Sequence, residues 1–316
     1  MERKMLASSA VVFNEEHHTY DLNGKMLSGV TPIISWLFPD TYKGIPQSVL
    51  DKAAEYGTDV HKACEVYDTL EVLPFEDELA DVVRQYASVT KELDNVLCSE
   101  YLVSDGERIA SAIDKVFEDD SLGDIKTTSK VHTRNVQVQL SIYAWLYEKM
   151  NPERKVPHLY LIWLPKPQYG KPMVKELERI PASVCEYIVE VWAANGEPMS
   201  ALSAIAGCGI TLEQEKQRVE GEVPDAVQPL VDELVMVKKQ LDILSEREKE
   251  IKQALLDTMT LSNEDKWYND IIQISKRAES TRVSVDSAKL KKDFPEAFVE
   301  CQKVSKVAAS LTYKVL

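Results

Sequence analysis

The stretch Ser111-Ala-Ile-Asp-Lys-Val-Phe-Glu-Asp-Asp-Ser-Leu-Gly-Asp-Ile-Lys-Thr-Thr-Ser129 constrains this chain more than any other. Its simplest reading is a strand, a tight acidic turn through Glu118-Asp119-Asp120-Ser121, and a second short strand ending at Lys126. Side chains alternate along a strand, so Asp124 and Lys126 share one side and Ile125 takes the other. A hairpin of this length brings the Asp114 carboxylate beside that of Asp124. Two such carboxylates repel unless a positive charge lies between them, and Mg²⁺ or Mn²⁺, with their preference for oxygen ligands, supplies it. Lys126 adds a fixed positive charge over the same spot. The pattern is a site for a metal, a water and a phosphate.

Composition sets the frame. At 316 residues and 44% hydrophobic content, the chain can bury a large core and exceeds one small domain. It has no run of about 18 apolar residues, so no membrane span is expected, and the start Met1–Leu6 lacks the apolar stretch of a signal peptide. The five cysteines (Cys64, Cys98, Cys185, Cys208, Cys301) are scattered, with no CxxC pair. That fits reduced thiols in a cytoplasmic protein better than disulfides or zinc. A formal net charge of −15 argues against a protein that coats nucleic acid generally. It leaves room for a local basic track, and it predicts weak, salt-sensitive nucleic-acid binding unless metal or the pooled basic residues of several subunits assist.

Upstream, Val11–Leu27 reads as a hairpin about Asn23-Gly24, a strong two-residue turn signal, with His17 and His18 as surface residues. Val30-Thr31-Pro32 opens a short helix with Thr31 as N-cap and Pro32 in first position. A helix from Ser48 to Leu70 carries Gly57, His61 and Glu65, and the last two, four apart, share a face. Taken alone, a helix histidine is a structural or surface residue. Glu78–Leu93 is a second amphipathic helix, and Val96–Val103 a strand carrying Glu100. Past Lys126, the hydroxyls of Thr127 and Ser129, with backbone amides, are placed to hold a phosphate, although Thr and Ser also cap helices routinely. The helix His132–Lys149 puts Gln139 and Tyr143 on one face; for an isolated pair near Trp145, core packing is the default. Strands at His158–Leu164 and Met173–Ile180 and a helix Ala182–Asn195 complete an α/β domain.

The C-terminal third differs. Pro224–Asp257 is a long charged helix on which Leu230, Leu234, Val237, Leu241, Leu244, Ile251 and Leu255 follow spacings of three and four, with Glu248 at the missing apolar position. That is the seam of a coiled coil or helical hairpin, pairing with its own domain or with another copy. Lys266–Ser275 and Thr281–Val285 read as paired strands, Ser287–Asp293 as a short helix and Leu311–Val315 as a final strand. Lys289, Lys291, Lys292, Lys303, Lys306 and Lys314 make the tail locally basic, suited to a DNA backbone, an acidic partner or plain solvent. The expected domains are an α/β core over 1–210, a helical segment over 211–262 and a small α+β module over 263–316.

In order along the chain, Gly57 with His61, Asp114, Asp124-Ile125-Lys126, and Gln139 with Tyr143 resemble the GxxxH, D…(D/E)xK and QxxxY motifs of the PD-(D/E)XK nuclease superfamily. The nearest branch is the RecB-like and YqaJ-like phage exonucleases. The resemblance covers roughly the first two-thirds of the chain, and Val285–Pro295 resembles the tail of YqaJ-type enzymes with low specificity. It implies an α/β fold, a restriction-endonuclease-like mixed sheet flanked by helices. It implies a metal-dependent DNA exonuclease in phage recombination or DNA processing, with Asp114, Asp124 and Lys126 catalytic. His61, Asp114, Asp124 and the backbone carbonyl of Ile125 would hold one or two Mg²⁺ or Mn²⁺ ions. Gln139 and Tyr143 would position DNA, while Glu65 and Glu100 would support the site. Several related nucleases carry a four-cysteine iron–sulfur cluster; the cysteine spacing here argues against one. The implied partners are DNA, a phage single-strand annealing protein and further copies of the chain, and the implied location is the cytoplasm of a bacterial host. Two other readings stand beside this one: a non-catalytic DNA-binding or recombination scaffold on a nuclease fold, and a structure-specific endonuclease.

Overall fold

A computed structural model of the chain describes residues 5–14, 19–43, 45–213, 223, 227–277 and 285–301. The chain divides into two compact units, Met1–Pro229 and Leu230–Leu316. The first runs β1 (Val11–Asn14), β2 (Thr19–Leu22), β3 (Lys25–Leu27), α1 (Thr31–Leu37), α2 (Gln47–Leu70), α3 (Asp77–Thr90), β4 (Val96–Ser104), β5 (Ala110–Phe117) and β6 (Leu122–Lys126). It continues with α4 (Thr133–Met150), β7 (Leu159–Trp163), β8 (Met173–Glu176), α5 (Ala182–Ala193) and α6 (Pro198–Gly207).

Strands β1 to β3 form a small antiparallel sheet. Asn23 and Gly24 join β2 to β3 with φ of 54° and 85°, the left-handed pair that a two-residue hairpin needs. Helix α1 starts one residue earlier than expected: Val30, not Thr31, is the cap, and no side chain caps the helix. Pro32 falls in the first turn, where a missing N–H leaves no helical bond unmade.

The main sheet has the order β4-β5-β6-β7-β8 and is antiparallel except for the β6/β7 pair. A parallel pair needs a crossover, and α4 provides it. Alternate residues of β6 and β7 turn to opposite faces. Leu122, Leu159 and Leu161 join a core with Ile142 and Leu146 of α4 and Ile188 of α5. Ile125, Ile162 and Leu164 pack instead with Val60 and Cys64 of α2 and Val83 and Tyr86 of α3. The unit is therefore mixed α/β, a five-stranded mixed sheet with helices on both faces. Strand β8 is shorter than expected, because Leu177 and Ile180 turn into the core. Helix α6 has no counterpart in the sequence reading; it buries Ala201 and Ile205.

Gly123 belongs to the layer under α2 and α3. A Cβ there would lie 3.0 Å from the Phe117 ring and 3.2 Å from Ile162 Cδ1. Gly123→Ala is expected to overpack this layer at a cost of about 1–3 kcal/mol, read as a lower urea midpoint at unchanged m-value.

The second unit begins within α7 (Gln228–Ser262) and continues through β9 (Lys266–Tyr268), β10 (Gln273–Ser275), α8 (Ser287–Asp293) and α9 (Pro295–Glu300). Leu230, Val237, Leu241, Leu244 and Ile251 of the apolar seam are exposed on α7. The single strand expected over Lys266–Ser275 is two short antiparallel strands, because Asn269 Oδ1 accepts the amides of Ile271 and Ile272 and turns the chain back. Asp286 caps α8 by accepting the Ala288 and Lys289 amides. His17, His18, the start of the long helix at 224–226, residues 281–284 of one expected strand, the Leu311–Val315 strand, and Lys303, Lys306 and Lys314 lie outside the described residues. No described helix is long and apolar enough to cross a membrane.

Candidate functional site

The site arises where β5 and β6 separate. Their ladder holds only Lys115 opposite Gly123 and Val116 opposite Leu122. Beyond it Asp114 Oδ2, rather than a backbone carbonyl, accepts the Ile125 amide at 2.8 Å. Strand β4 is irregular at the same level: between the Ser99–Lys115 and Tyr101–Ile113 pairs, Glu100 holds φ 50°, a left-handed conformation rare for a residue with a Cβ. Side chains from both helical layers enter here, His61 from α2 and Gln139 from α4.

On the α2 side, ligand atoms of His61, Glu100 and Asp114 lie within 4.8 Å of one another. His61 Nδ1 is 3.8 Å from Glu100 Oε1 and 3.7 Å from Asp114 Oδ2, while Nε2 is 3.1 Å from the Ile125 carbonyl oxygen. A neutral ring donating Nε2–H to that carbonyl turns the Nδ1 lone pair toward the carboxylates. Burial works against the imidazolium, yet Asp114 and Glu100 outweigh it and raise its pKa to about 8. His61 must therefore shed a proton before it acts as a ligand.

On the α4 side, Asp124 is wholly buried. Lys126 Nζ lies 2.7 Å from its Oδ2, and Gln139 Nε2 donates to its Oδ1 at 2.9 Å. Oδ2 has no aligned hydrogen-bond donor, so the ammonium meets it as a charge. Gln139 Nε2 also reaches the Tyr143 hydroxyl at 2.8 Å, and Ser111 Oγ donates to that hydroxyl at 3.1 Å. Burial pushes the Asp124 carboxyl up, Lys126 pulls it down and Asp114 adds to the rise. Burial also disfavours the Lys126 ammonium, but Asp124 and Asp114 more than offset this and hold it above the ordinary lysine value. Lys126 is thus a fixed cation, and a general-base role, which needs a depressed pKa, finds no support among these neighbours.

Two carboxylates and the Nδ1 of an imidazole form a donor set that a divalent cation takes. Asp124 Oδ2 is engaged by the Lys126 ammonium and lies outside this three-residue cluster. The residues fit such an ion.

Of the residues singled out in the sequence, His61 and Asp114 converge with Glu100, whereas the Ile125 carbonyl meets His61 at Nε2, on the far edge of the ring, and so orients the imidazole instead of sharing the cluster. Asp124 and Lys126 pair on the α4 side. Glu65 is half-buried one turn past His61 and outside the three-residue cluster. Tyr143 is only 4% exposed, so what it positions is Gln139. Thr127 lies against α2, where a Cβ on Gly57 would stand 3.6 Å from its Oγ1. Ser129 is half-buried just beyond, and the residue of this run that lines the adjoining pocket is Thr128. Sequence reasoning missed Ser111, Asp68 and Lys115. Lys115 pairs with Asp68 at 2.5 Å and donates to Ser99 Oγ at 2.8 Å, and the Tyr86 hydroxyl lies 3.0 Å from both Asp68 oxygens. Asp68 follows His61 at a spacing that returns to the same helix face, which is the signal that finds it. No protein-family model and no curated protein matches this chain.

Proposed function

We propose that the chain is a metal-dependent DNA nuclease with a restriction-endonuclease-like core, of the kind found in RecB-like and YqaJ-like PD-(D/E)XK exonucleases. The observation that carries this reading is the convergence of His61, Glu100 and Asp114 near buried Asp124, paired with Lys126, at one split hairpin. In this reading His61, through Nδ1, and the carboxylates of Glu100 and Asp114 would hold Mg²⁺ or Mn²⁺. Such an ion, when bound, acidifies a water and neutralises charge on the scissile phosphate. The chain's own part is positioning and electrostatics. Lys126 stays protonated and stabilises the negative charge that grows on the phosphate oxygens. Asp124 holds that ammonium in place, Gln139 holds Asp124, and Tyr143 with Ser111 holds Gln139.

His61→Ala and Glu100→Gln are each expected to lower Mn²⁺ affinity by at least about 10–100-fold, the loss seen when even outer partners of a metal are removed. Electron paramagnetic resonance of free Mn²⁺ reads this without DNA; equal affinity in wild type and both variants removes the metal site. A timed digestion of end-labelled linear duplex, circular and single-stranded DNA, with and without metal, reads the activity. Loss of linear substrate from its ends with circles spared is expected, whereas cut circles point to an endonuclease. The net charge of −15 favours a second reading, a non-catalytic DNA-binding scaffold. Metal-dependent hydrolysis by the purified chain excludes it.

A further inference from the structure

Every residue of α7 from 239 to 254 is exposed, apolar and charged alike, and among the described residues no helix or strand packs along its length. The seam of threes and fours runs through this stretch. Leu230, Val237, Leu241, Leu244 and Ile251 are each 39–64% exposed, and Leu234 and Leu255 are half-buried. From 230 to 255 the seam extends for close to four heptads, about 39 Å at the helical rise, the length over which such a repeat specifies a coiled coil. The remaining positions carry ion pairs within the helix, among them Lys238 with Asp242, Lys249 with Glu246 and Arg247 with Glu250.

A seam of period 3.5 fits a helix of the same period, and a second copy of the chain supplies one. Charge decides the direction. Two parallel copies in register would set Glu248 against Glu248 within the seam and Arg247 beside Lys252, both like-charge contacts. Two antiparallel copies have a register, symmetric about the Asp242–Ile243 bond, that leaves no seam position unmatched. In it Leu241 faces Leu244, Leu234 faces Ile251 and Leu230 faces Leu255, while Glu248 faces Val237 with Lys238 beside it. We propose that two copies of the chain pair antiparallel along this seam of α7. Apolar side chains of both copies then leave water together, and Glu248 fixes the direction by finding a cation in one orientation and its own like in the other. Such an interface presents the same face from each copy, so it closes at two. The pairing does not rest on the nuclease reading.

The test is sedimentation equilibrium of the full chain over a range of concentrations. A dimer is expected, and Leu244→Lys, which puts an ammonium into the seam, should weaken it by about ten-fold or more. Ile243→Lys is the control: that side chain is similarly exposed, 69% against 64%, but lies off the seam, and the dimer should hold. Glu248→Leu completes the seam and should tighten the dimer by about ten-fold or more, a gain that unfolding does not produce. Zero-length carbodiimide cross-linking of isotopically mixed copies reads the direction, with Glu248 joined to Lys238 of the other copy. A chain that stays monomeric, assembles beyond two copies or loses its dimer equally with Ile243→Lys overturns the proposal. So does a dimer that Glu248→Leu leaves unchanged, and so does a link between Glu233 and Lys238 of different copies, the mark of a parallel pair.

Discussion

Lys126→Ala is expected to lower DNA cleavage by at least about 10²–10³-fold at saturating Mg²⁺, the loss typical of removing one preorganised charge-stabilising donor. The side chain is 29% exposed at the end of β6, so its removal opens no hole in the core, but it leaves the buried Asp124 carboxylate without its cation, so cleavage is compared at equal folded fraction. Asp124→Asn should cost a comparable factor by another route. The amide keeps the shape and can still accept from Gln139, but it frees the Lys126 ammonium from its anchor and withdraws a buried carboxylate oxygen from the site. Asp114→Ala is a poorer probe, because Asp114 also accepts the Ile125 amide and its loss mixes chemistry with folding. Turnover on end-labelled duplex, with thermal midpoints as the control for folding, reads the result. Near-wild-type cleavage by either Lys126→Ala or Asp124→Asn defeats the assignment.

Local spacing made part of this site legible. Period-two alternation places Asp124 and Lys126 on one side, and period 3.6 places Gln139 and Tyr143 together. Neither period says whether that side meets solvent or core; the DNA contact at Tyr143 is implied by the QxxxY resemblance, while the structure buries the ring and sets its hydroxyl against Gln139. The split of the hairpin is non-local: it depends on the Asp114 carboxylate replacing a ladder bond and on Glu100 adopting a left-handed backbone that no glycine marks. Glu100 was accordingly legible only as support, though it lies as near His61 Nδ1 as Asp114 does. In the second unit Asn269-Asp270 carries the turn signal that divides the expected strand, but apolar residues on both sides of it hide the break.

Lys115→Met is expected to destabilise the first unit by about 3–5 kcal/mol, the cost of leaving one partner of a buried ion pair alone. Lys115 is 1% exposed, 2.5 Å from Asp68, 2.8 Å from Ser99 Oγ and 5.6 Å from the centroid of the Tyr86 ring. Without the ammonium, the Asp68 carboxylate keeps the Tyr86 hydroxyl, whose own pKa is driven well above the ordinary tyrosine value by burial and then by Asp68. That hydroxyl can donate only one hydrogen and cannot neutralise a buried charge. Lys115→Met/Asp68→Leu removes both charges and should recover most of the loss, because an apolar pair of similar volume often replaces a buried ion pair at little cost. Urea unfolding of the two single variants and the double variant isolates the coupling. The same cycle tests a link to the site, since the pair ties β5, which carries Asp114, to α2, which carries His61. If the tie sets the His61–Asp114 separation, Mn²⁺ affinity falls by about ten-fold or more in Lys115→Met and stays low in the stable double variant. If affinity returns together with stability, the pair serves the fold alone.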